Sequence, residues 1–361
     1  CWSAALTTAF ISTMRALPDK ILIVGPSWVG DMVMAQSLFR ELIRRNGNAV
    51  IDVLAPPWSE AIVNRMPEVR RVIKMPVGHG NFQLINRYRL GRNLAKQNYQ
   101  QAILLPNSWK SALVPAFAGI PKRTGWRGEF RYGLLNDLRV LEKEAMPLMV
   151  ERFVALAGEQ REPLPKVIPP PKLIVDIEIA QVCAQKLGID ISRKILTLCP
   201  GAEFGPAKQW PTEYYAQLAK IYLDKNWQLL LLGSTSDQSV TAQISAAIGD
   251  SANLFDLAGR TTLGEAVDLL SIATAVVSND SGLMHIAAAL DRPMVAIYGP
   301  TSPGFTPPLS LHAVTVQLED IDCAPCFKRQ CPLQHHRCMV GLEPQRIVVM
   351  VDSMVTGEAR D

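Results

Sequence analysis

Two doubly wound α/β domains facing each other across a cleft are what this sequence predicts. Three observations carry that prediction. Short apolar runs alternate with helix-like segments in both halves of the chain, which is the signature of βαβ units around a parallel sheet. A single Pro-rich stretch, Glu162 to Lys172 (EPLPKVIPPPK), interrupts the alternation and suits neither a helix nor a central strand, so it reads as the linker. The chain of 361 residues is 48% hydrophobic and 19% charged, enough apolar material for sizeable cores, and its length suits two or three domains. No apolar run reaches the ~20 residues that span a bilayer, which excludes a transmembrane segment.

The elements follow in order. Lys20-Ile-Leu-Ile-Val-Gly25 is a short apolar run ended by Gly and Pro, as expected of a buried parallel strand. A helical pattern spans Asp31 to Arg45, then a strand Ala49–Leu54. The alternation continues through a strand at Val72–Met75, a helix at Phe82–Gln97, a strand at Gln101–Leu105 and a helix at Trp109–Ala118. Beyond the linker, strands are expected at Ile195–Cys199, Gln228–Leu232, Leu254–Leu257, Ala275–Ser278 and Met294–Tyr298, with helices between them. Ligands of such sheets bind beyond the carboxyl ends of the strands, so residues just after each strand are the candidates for function, and the cleft between domains is the natural site.

The net charge of +4 conceals a division. Residues 1–160 carry 21 Lys and Arg against 12 Asp and Glu, whereas residues 161–361 carry 16 against 21. A basic half calls for an anionic partner: nucleic acid, acidic lipid or a phosphorylated glycan. Seven cysteines in a chain this long do not form a secreted disulfide scaffold. Cys1 to Leu17 has no basic residue ahead of its apolar run, so an extension or fragment end before a fold beginning near Asp19 is expected rather than a signal peptide, with a cytoplasmic location as the default.

Seven segments hold chemistry-bearing residues. After the first strand, Gly25-Pro-Ser-Trp-Val-Gly30-Asp31 lacks the G-x-G-x-x-G dinucleotide fingerprint but brings a carboxylate to a helix start. Asp31 is there either as the helix N-cap or as a general base, and spacing alone does not decide. Cys199-Pro-Gly-Ala-Glu-Phe-Gly-Pro-Ala-Lys208 is a Gly- and Pro-rich loop with one Lys, suited to a phosphate or equally to solvent. Ser278-Asn-Asp280-Ser281-Gly282-Leu-Met-His285 opens a helix whose free amides can meet an anion, while His285 is either a ligand contact or an interior residue. Tyr298-Gly-Pro-Thr-Ser302 repeats the Gly-then-hydroxyl pattern at another strand end. Lys122-Arg123-Thr-Gly-Trp-Arg127-Gly-Glu-Phe-Arg131, with Lys110 nearby, is a cationic and aromatic segment that could grip phosphates, sugar acids or single-stranded nucleic acid, or lie as a solvated turn. Arg87, Arg89, Arg92 and Lys96 share a helical pattern that would rest on anionic lipid or face water. Cys323, Cys326, Cys331 and Cys338, with His335 and His336 among them, could hold a structural zinc or an iron–sulfur centre, or remain reduced thiols.

Taken together, Gly25–Asp31, Leu105-Pro-Asn-Ser-Trp-Lys-Ser-Ala112, Arg123-Thr-Gly-Trp-Arg127, Arg131-Tyr-Gly-Leu-Leu-Asn-Asp137, Pro200–Lys208 and Ser278–His285 resemble the ADP-heptose:lipopolysaccharide heptosyltransferase II family, of glycosyltransferase family 9. The resemblance runs from about Lys20 to Pro308 and recurs near the C-terminal helix; six motifs in the right order make it specific. It implies the GT-B fold, two Rossmann-like domains, and inverting transfer of L-glycero-D-manno-heptose from ADP-heptose to the first heptose of the lipopolysaccharide inner core. By motif, Asp31 would be the general base and Lys208 the diphosphate cation. Asp280 would hold heptose hydroxyls, and Ser281, Gly282 and His285 would meet the diphosphate. Asp237 matches a ribose-binding position, and Thr261 and Thr262 an adenine pocket. The family needs no metal for transfer. The acceptor would be a phosphorylated, Kdo-bearing lipid A core at the inner leaflet, so the protein would be cytoplasmic and peripheral to the inner membrane, with no nucleic-acid partner. Lys110, Arg123, Arg127 and Arg131 would face that acceptor. The extension before Lys20 and the cysteine cluster depart from the family pattern.

The implied organisation is an N-terminal extension (1–18), an acceptor domain (19–161), the linker (162–172), an ADP-heptose domain with the cysteine cluster at 323–338 (173–342) and a C-terminal helix (343–361). Competing readings are a nucleotide-sugar epimerase of the same fold and a noncatalytic nucleotide- or nucleic-acid-binding module.

Overall fold

Two six-stranded parallel sheets, each covered by helices, make up the computed structural model, which describes residues 20–76 and 82–357. The expected extension over 1–18 lies outside the described residues. The first sheet is built from β1 (Lys20–Val24), β2 (Val50–Ala55), β3 (Val69–Lys74), β4 (Gln101–Leu104), β5 (Lys122–Trp126) and β6 (Asp137–Arg139). Its helices are α1 (Val29–Arg45), α2 (Glu60–Val63), α3 (Leu84–Ala95), α4 (Leu113–Phe117) and α5 (Met149–Val154). The second sheet comprises β7 (Ile195–Cys199), β8 (Gln228–Leu231), β9 (Leu254–Asp256), β10 (Ala275–Asn279), β11 (Met294–Ile297) and β12 (Ala313–Val316). Around it lie α6 (Ile177–Lys186), α7 (Thr212–Asp224), α8 (Gln238–Ile248), α9 (Leu263–Ser271), α10 (Gly282–Ala289), α11 (Arg337–Val340) and α12 (Pro344–Thr356).

The strand orders are β3-β2-β1-β4-β5-β6 and β12-β11-β10-β7-β8-β9, so both sheets reverse direction of winding beside their first strand. The two switch points, β1/β4 and β7/β10, open crevices at the strand C-termini, where doubly wound sheets bind ligands. The segments that follow β1, β7 and β10 are the ones carrying Asp31, in the first turn of α1, and Lys208 and Asp280.

Strands β5, β6 and β12 and helix α2 were not anticipated. In β5, Lys122 and Arg123 mask a segment whose Thr124, Gly125 and Trp126 are buried. Its cations lie at the start of the strand, where charge says nothing about which residues face the core. The helix expected over Trp109–Ala118 is instead a 3₁₀ turn, Trp109–Ala112, running into the short α4.

Helix α1 is buried along most of its length, from Met32 to Phe39 and again at Glu41 and Leu42, because it is enclosed by the first sheet, α5 and α10. Two glycines allow α1 and α10 to meet at their N-terminal ends. A Cβ on Gly30 would stand 2.5 Å from His285 Cδ2, and one on Gly282 would stand 2.7 Å from Val29 Cβ. Gln36 on α1 clasps the linker, its Oε1 accepting from Lys172 N (2.9 Å) and its Nε2 donating to Lys172 O (2.7 Å). Just beyond, Leu173 N donates to Ala289 O and Ile174 N to Arg65 O, so the chain crossing between the sheets is bonded to both. Arg65 also pairs with the buried Asp268 of α9.

Because the buried His285 ring that a Cβ on Gly30 would meet is not the free end of a flexible chain, Gly30→Ala is expected to destabilise the protein by about 1–3 kcal/mol, as overpacking does. Thermal unfolding checks this: a midpoint equal to that of the wild type would contradict the close helix approach.

Candidate active site

Asp31 occupies the third position of α1, behind an N-cap at Trp28, so it is not the capping residue. Its carboxylate is half-buried in the cleft and accepts no hydrogen bond among the described residues. Burial pushes its pKa up to about 6, a rise moderated by the Lys208 cation and reinforced by the Asp280 charge. A carboxylate so placed is ionised at neutral pH yet basic enough to accept a proton from a hydroxyl.

Facing it, Lys208 Nζ pairs with Asp280 Oδ2 at 2.6 Å and lies 3.3 Å from the Asp280 carbonyl oxygen. Thr301 Oγ1 donates to the same Oδ2 at 2.6 Å. Both partners engage one oxygen of the nearly buried Asp280, and no bond engages Oδ1 among the described residues. Lys208 also stands 4.9 Å over the Phe204 ring. Asn279 fixes the frame beneath: its Oδ1 accepts from Trp210 N and Tyr215 Oη, and its Nδ2 donates to Pro200 O. That one side chain therefore joins the loops after β7 and β10.

Ser281 caps α10, its Oγ accepting from Met284 N at 3.5 Å, which leaves the first turn of that helix open towards the cleft. His285 is buried one turn further on, and desolvation holds its pKa down at about 4, so the imidazole is neutral at physiological pH. Asp237 accepts from the backbone N and Oγ of Ser234, both at 2.8 Å. It approaches Gly201 so closely that a Cβ there would lie 2.6 Å from Asp237 Oδ2. Thr262 caps α9 in a reciprocal box with Glu265, and Thr261 lines the cleft beside it.

All nine of these candidates, Asp31, Lys208, Asp237, Thr261, Thr262, Asp280, Ser281, Gly282 and His285, line one cleft of about 920 Å³. That is at the upper end of the range, roughly 300–1,000 Å³, typical of small-molecule sites. The first half contributes Trp28, Val29, Gly30, Asp31, Met34, Trp58 and Met149, and the second half the rest.

The cationic wall is different. Lys110, Arg123, Arg127 and Arg131 do not line the cleft. Arg131 is buried and donates to the carbonyls of Pro106 and Trp126, while Arg123 donates to those of Leu134 and Ile120. Both guanidinium groups hold the backbone around β5, outside the lining of the cleft. Arg87 is likewise buried, donating to Phe82 O and Lys110 O. Lys110 is half-buried and Arg127 exposed.

The structural metal expected at the cysteines is not supported. Among the described residues, no group of three or more His, Cys, Asp or Glu side chains is disposed to hold a metal ion. Cys323, Cys326, Cys331 and Cys338 are free thiols around a cavity of about 20 Å³. Their loop braces the site instead: Ala207 N donates to Arg329 O at 3.1 Å and Phe327 N to Pro300 O at 2.7 Å, on either side of Lys208 and Thr301. Phe327 itself reaches the cleft. Thr301, Asn279 and this brace were not assigned roles from sequence. The hydroxyl after Gly299-Pro300 was the only local sign of Thr301.

Comparison with known proteins places this geometry. Residues 87–337 match the family model for glycosyltransferase family 9 (heptosyltransferase). The chain belongs to that family. Lipopolysaccharide heptosyltransferase 2 of Escherichia coli is 47% identical over 346 residues, covering 94% of this chain and 99% of that protein. Lipooligosaccharide heptosyltransferase 2 of Haemophilus ducreyi is 47% identical over 348 residues, with 93% and 99% covered. The solved structure of E. coli ADP-heptose LPS heptosyltransferase II superposes with a TM-score of 0.85 at 46% identity, covering 94% of this chain and 99% of that one. The two facing sheets are accordingly the GT-B-like arrangement of a glycosyltransferase. The epimerase and the noncatalytic module are not favoured.

The heptosyltransferase carries two opposed acid responses at this site. Between pH 6 and about 4 folded Asp31 binds a proton that the unfolded chain, with a value near 3.8, does not, so its contribution to stability grows as pH falls. Between pH 6.5 and about 4 His285 stays neutral in the fold while the unfolded chain protonates, so its contribution shrinks. Asp31→Asn removes the first response. The variant should therefore lose stability more steeply than the wild type between pH 6 and 4, by on the order of 1–3 kcal/mol. Unfolding midpoints measured across that range check it; parallel pH curves would refute the assignment.

Proposed function

We propose that the heptosyltransferase transfers L-glycero-D-manno-heptose from ADP-heptose to the first heptose of the lipopolysaccharide inner core, with inversion at the anomeric carbon. The observation that carries the mechanism is the placement of an unpaired carboxylate on one half of the cleft, opposite a Lys208–Asp280 pair on the other. Asp31 takes the proton from the acceptor hydroxyl as that oxygen attacks the anomeric carbon. The bond from this carbon to the β-phosphate oxygen breaks, and ADP departs with the electron pair.

Charge then accumulates on the diphosphate, and Lys208 offsets it from a site where the cation is only 12% exposed. The open amides of the first α10 turn, at Ser281 and Gly282, add the favourable end of the helix dipole. Neutral His285 meets the same region without competing charge. The unengaged Oδ1 of Asp280 is the acceptor for heptose hydroxyls, with Thr301 holding the carboxylate in register. Asp237 takes the ribose and Thr261 and Thr262 border the adenine. These groups supply the acid–base and electrostatic steps themselves, so the reading requires no cofactor. The acceptor is the phosphorylated, Kdo-bearing lipid A core at the inner leaflet. It is met by the basic half, with Lys110 and Arg127, which have no acidic partner among the described residues, as its cations and no nucleic acid involved. The protein works in the cytoplasm at the membrane surface, and no described helix is long and apolar enough to cross a bilayer.

In a transfer assay with ADP-heptose and a heptose-truncated core acceptor, Asp31→Ala should lower kcat by roughly 10²–10⁴-fold while ADP-heptose affinity changes little. The wild-type kcat/KM should rise with pH through a value near 6 and then level off, since the base acts only when ionised. Turnover unaltered by the substitution removes Asp31 from the role. Lys208→Ala should slow transfer and weaken donor binding by about 10–100-fold, the worth of a charge-assisted contact. Equal donor affinity in the variant and the wild type would place the diphosphate elsewhere.

A further inference from the structure

At the C-terminal edge of the first sheet, the edge that also delivers Asp31, the segments following β3, β4 and β5 expose apolar and aromatic side chains. Ile85 is 66% exposed and Phe130 82% exposed, and Phe82, Leu84, Tyr88 and Trp109 are exposed beside them. This is no loose collection. Phe82 and Trp109 meet at a tilt of 44° with ring centroids 5.1 Å apart, and Phe130 meets Tyr132 edge-on at 5.3 Å. The buried Arg87 guanidinium donates to both Phe82 O (2.7 Å) and Lys110 O (3.3 Å), tying the start of α3 to the segment after β4.

Cations flank the apolar groups. Along α3, Arg87, Gly91 and Leu94 face inward, so Ile85, Arg89, Arg92 and Lys96 fall on the opposite, exposed face. Lys110 and Arg127 stand on the neighbouring segments. None of these five cations has an acidic partner among the described residues. Glu129, the acid nearest in sequence to Arg127, accepts from Trp109 N.

We propose that this face, the N-terminal half of α3 with the segments after β4 and β5, docks on an anionic phospholipid bilayer. Rings and aliphatic groups at the N-terminal end of α3 enter the interface, and the cations that follow meet lipid phosphates. Charge complementarity selects an anionic surface, and the exposed aliphatics Leu84 and Ile85 select acyl chains over stacked bases, which have no use for them. The proposal rests on the transferase reading above and deepens it: docking by this edge turns the cleft mouth towards the layer in which a lipid-linked acceptor is embedded.

The test uses the full chain and vesicles of phosphatidylethanolamine with phosphatidylglycerol, or of phosphatidylcholine alone, in a flotation assay. The wild type should float with the anionic vesicles, less as salt rises, and scarcely with the neutral ones. The double variants R89E/R92E and I85E/Y88E should each lower the partition coefficient on anionic vesicles by about tenfold or more, whereas Lys220→Glu on the second half leaves it unchanged. Circular dichroism and thermal midpoints identify any variant that is misfolded. Transfer to a water-soluble truncated acceptor should stay within twofold of the wild type for both double variants, while transfer to acceptor embedded in anionic vesicles falls with partitioning. Wild-type binding to neither vesicle, or equal partitioning of the wild type and both double variants, overturns the proposal and leaves the face to a protein partner or to water. Absence of transfer to the soluble acceptor by the wild type would count against the functional reading alone, because partitioning is measured independently of it.

Discussion

The close approach of two helix N-termini governs the rest of this molecule. Helices α1 and α10 belong to different sheets, and they meet where Gly30 lies against His285 and Gly282 against Val29. Only residues without a Cβ allow that distance. Asp31 follows Gly30 by one residue, so the contact that joins the halves also sets where the carboxylate stands relative to Lys208 and Asp280. The clasp of Gln36 on Lys172 and the Arg65–Asp268 pair act further along the same seam and hold the arrangement in register.

Electrostatics in the cleft then follow from an imbalance. One cation, Lys208, serves two carboxylates, and it is committed by hydrogen bonding to Asp280. Asp31 receives only its more distant field, which cannot fully offset the cost of burial, and its proton affinity rises. His285, enclosed by the same walls, responds in the opposite sense and sheds its proton. The same low-polarity enclosure thus yields a carboxylate near neutrality and a neutral imidazole. Thr301 completes the division of labour by sharing Oδ2 of Asp280 with Lys208, which leaves the second oxygen for a ligand. The cysteine loop contributes at one remove, through backbone hydrogen bonds that support the segments carrying Lys208 and Thr301.

Most of the architecture was legible because buried parallel strands announce themselves. Runs such as Ile195–Cys199 and Ala275–Asn279 are mostly apolar and buried on both faces, and a Pro or Asp follows each. The strands that escaped, β5, β6 and β12, are short or carry charge at an end, where periodicity has too few residues to speak. Strand-end position made the segments following β1, β7 and β10 candidates, the family resemblance added Asp237, Thr261 and Thr262, and the nine residues so drawn from sequence line one cavity.

What the amino-acid order determined by itself was local: which segments are strands, which loops terminate them, and which strand ends are followed by Asp31, Lys208 and Asp280. Tertiary structure decided which polar groups are already satisfied. Arg123 and Arg131 carry the same charge as Lys110 and Arg127, yet the first two are engaged by backbone carbonyls and the other two have no side-chain hydrogen bond or ion pair among the described residues, and nothing in their spacing distinguishes them. Thr301 gains its place only because β11 lies beside β10 in the sheet, which brings residues 21 positions apart to hydrogen-bonding distance. The physical reason is common to both cases: a side chain's partners are fixed by strand order and loop convergence, and those are properties of the folded sheet rather than of neighbouring residues in the chain.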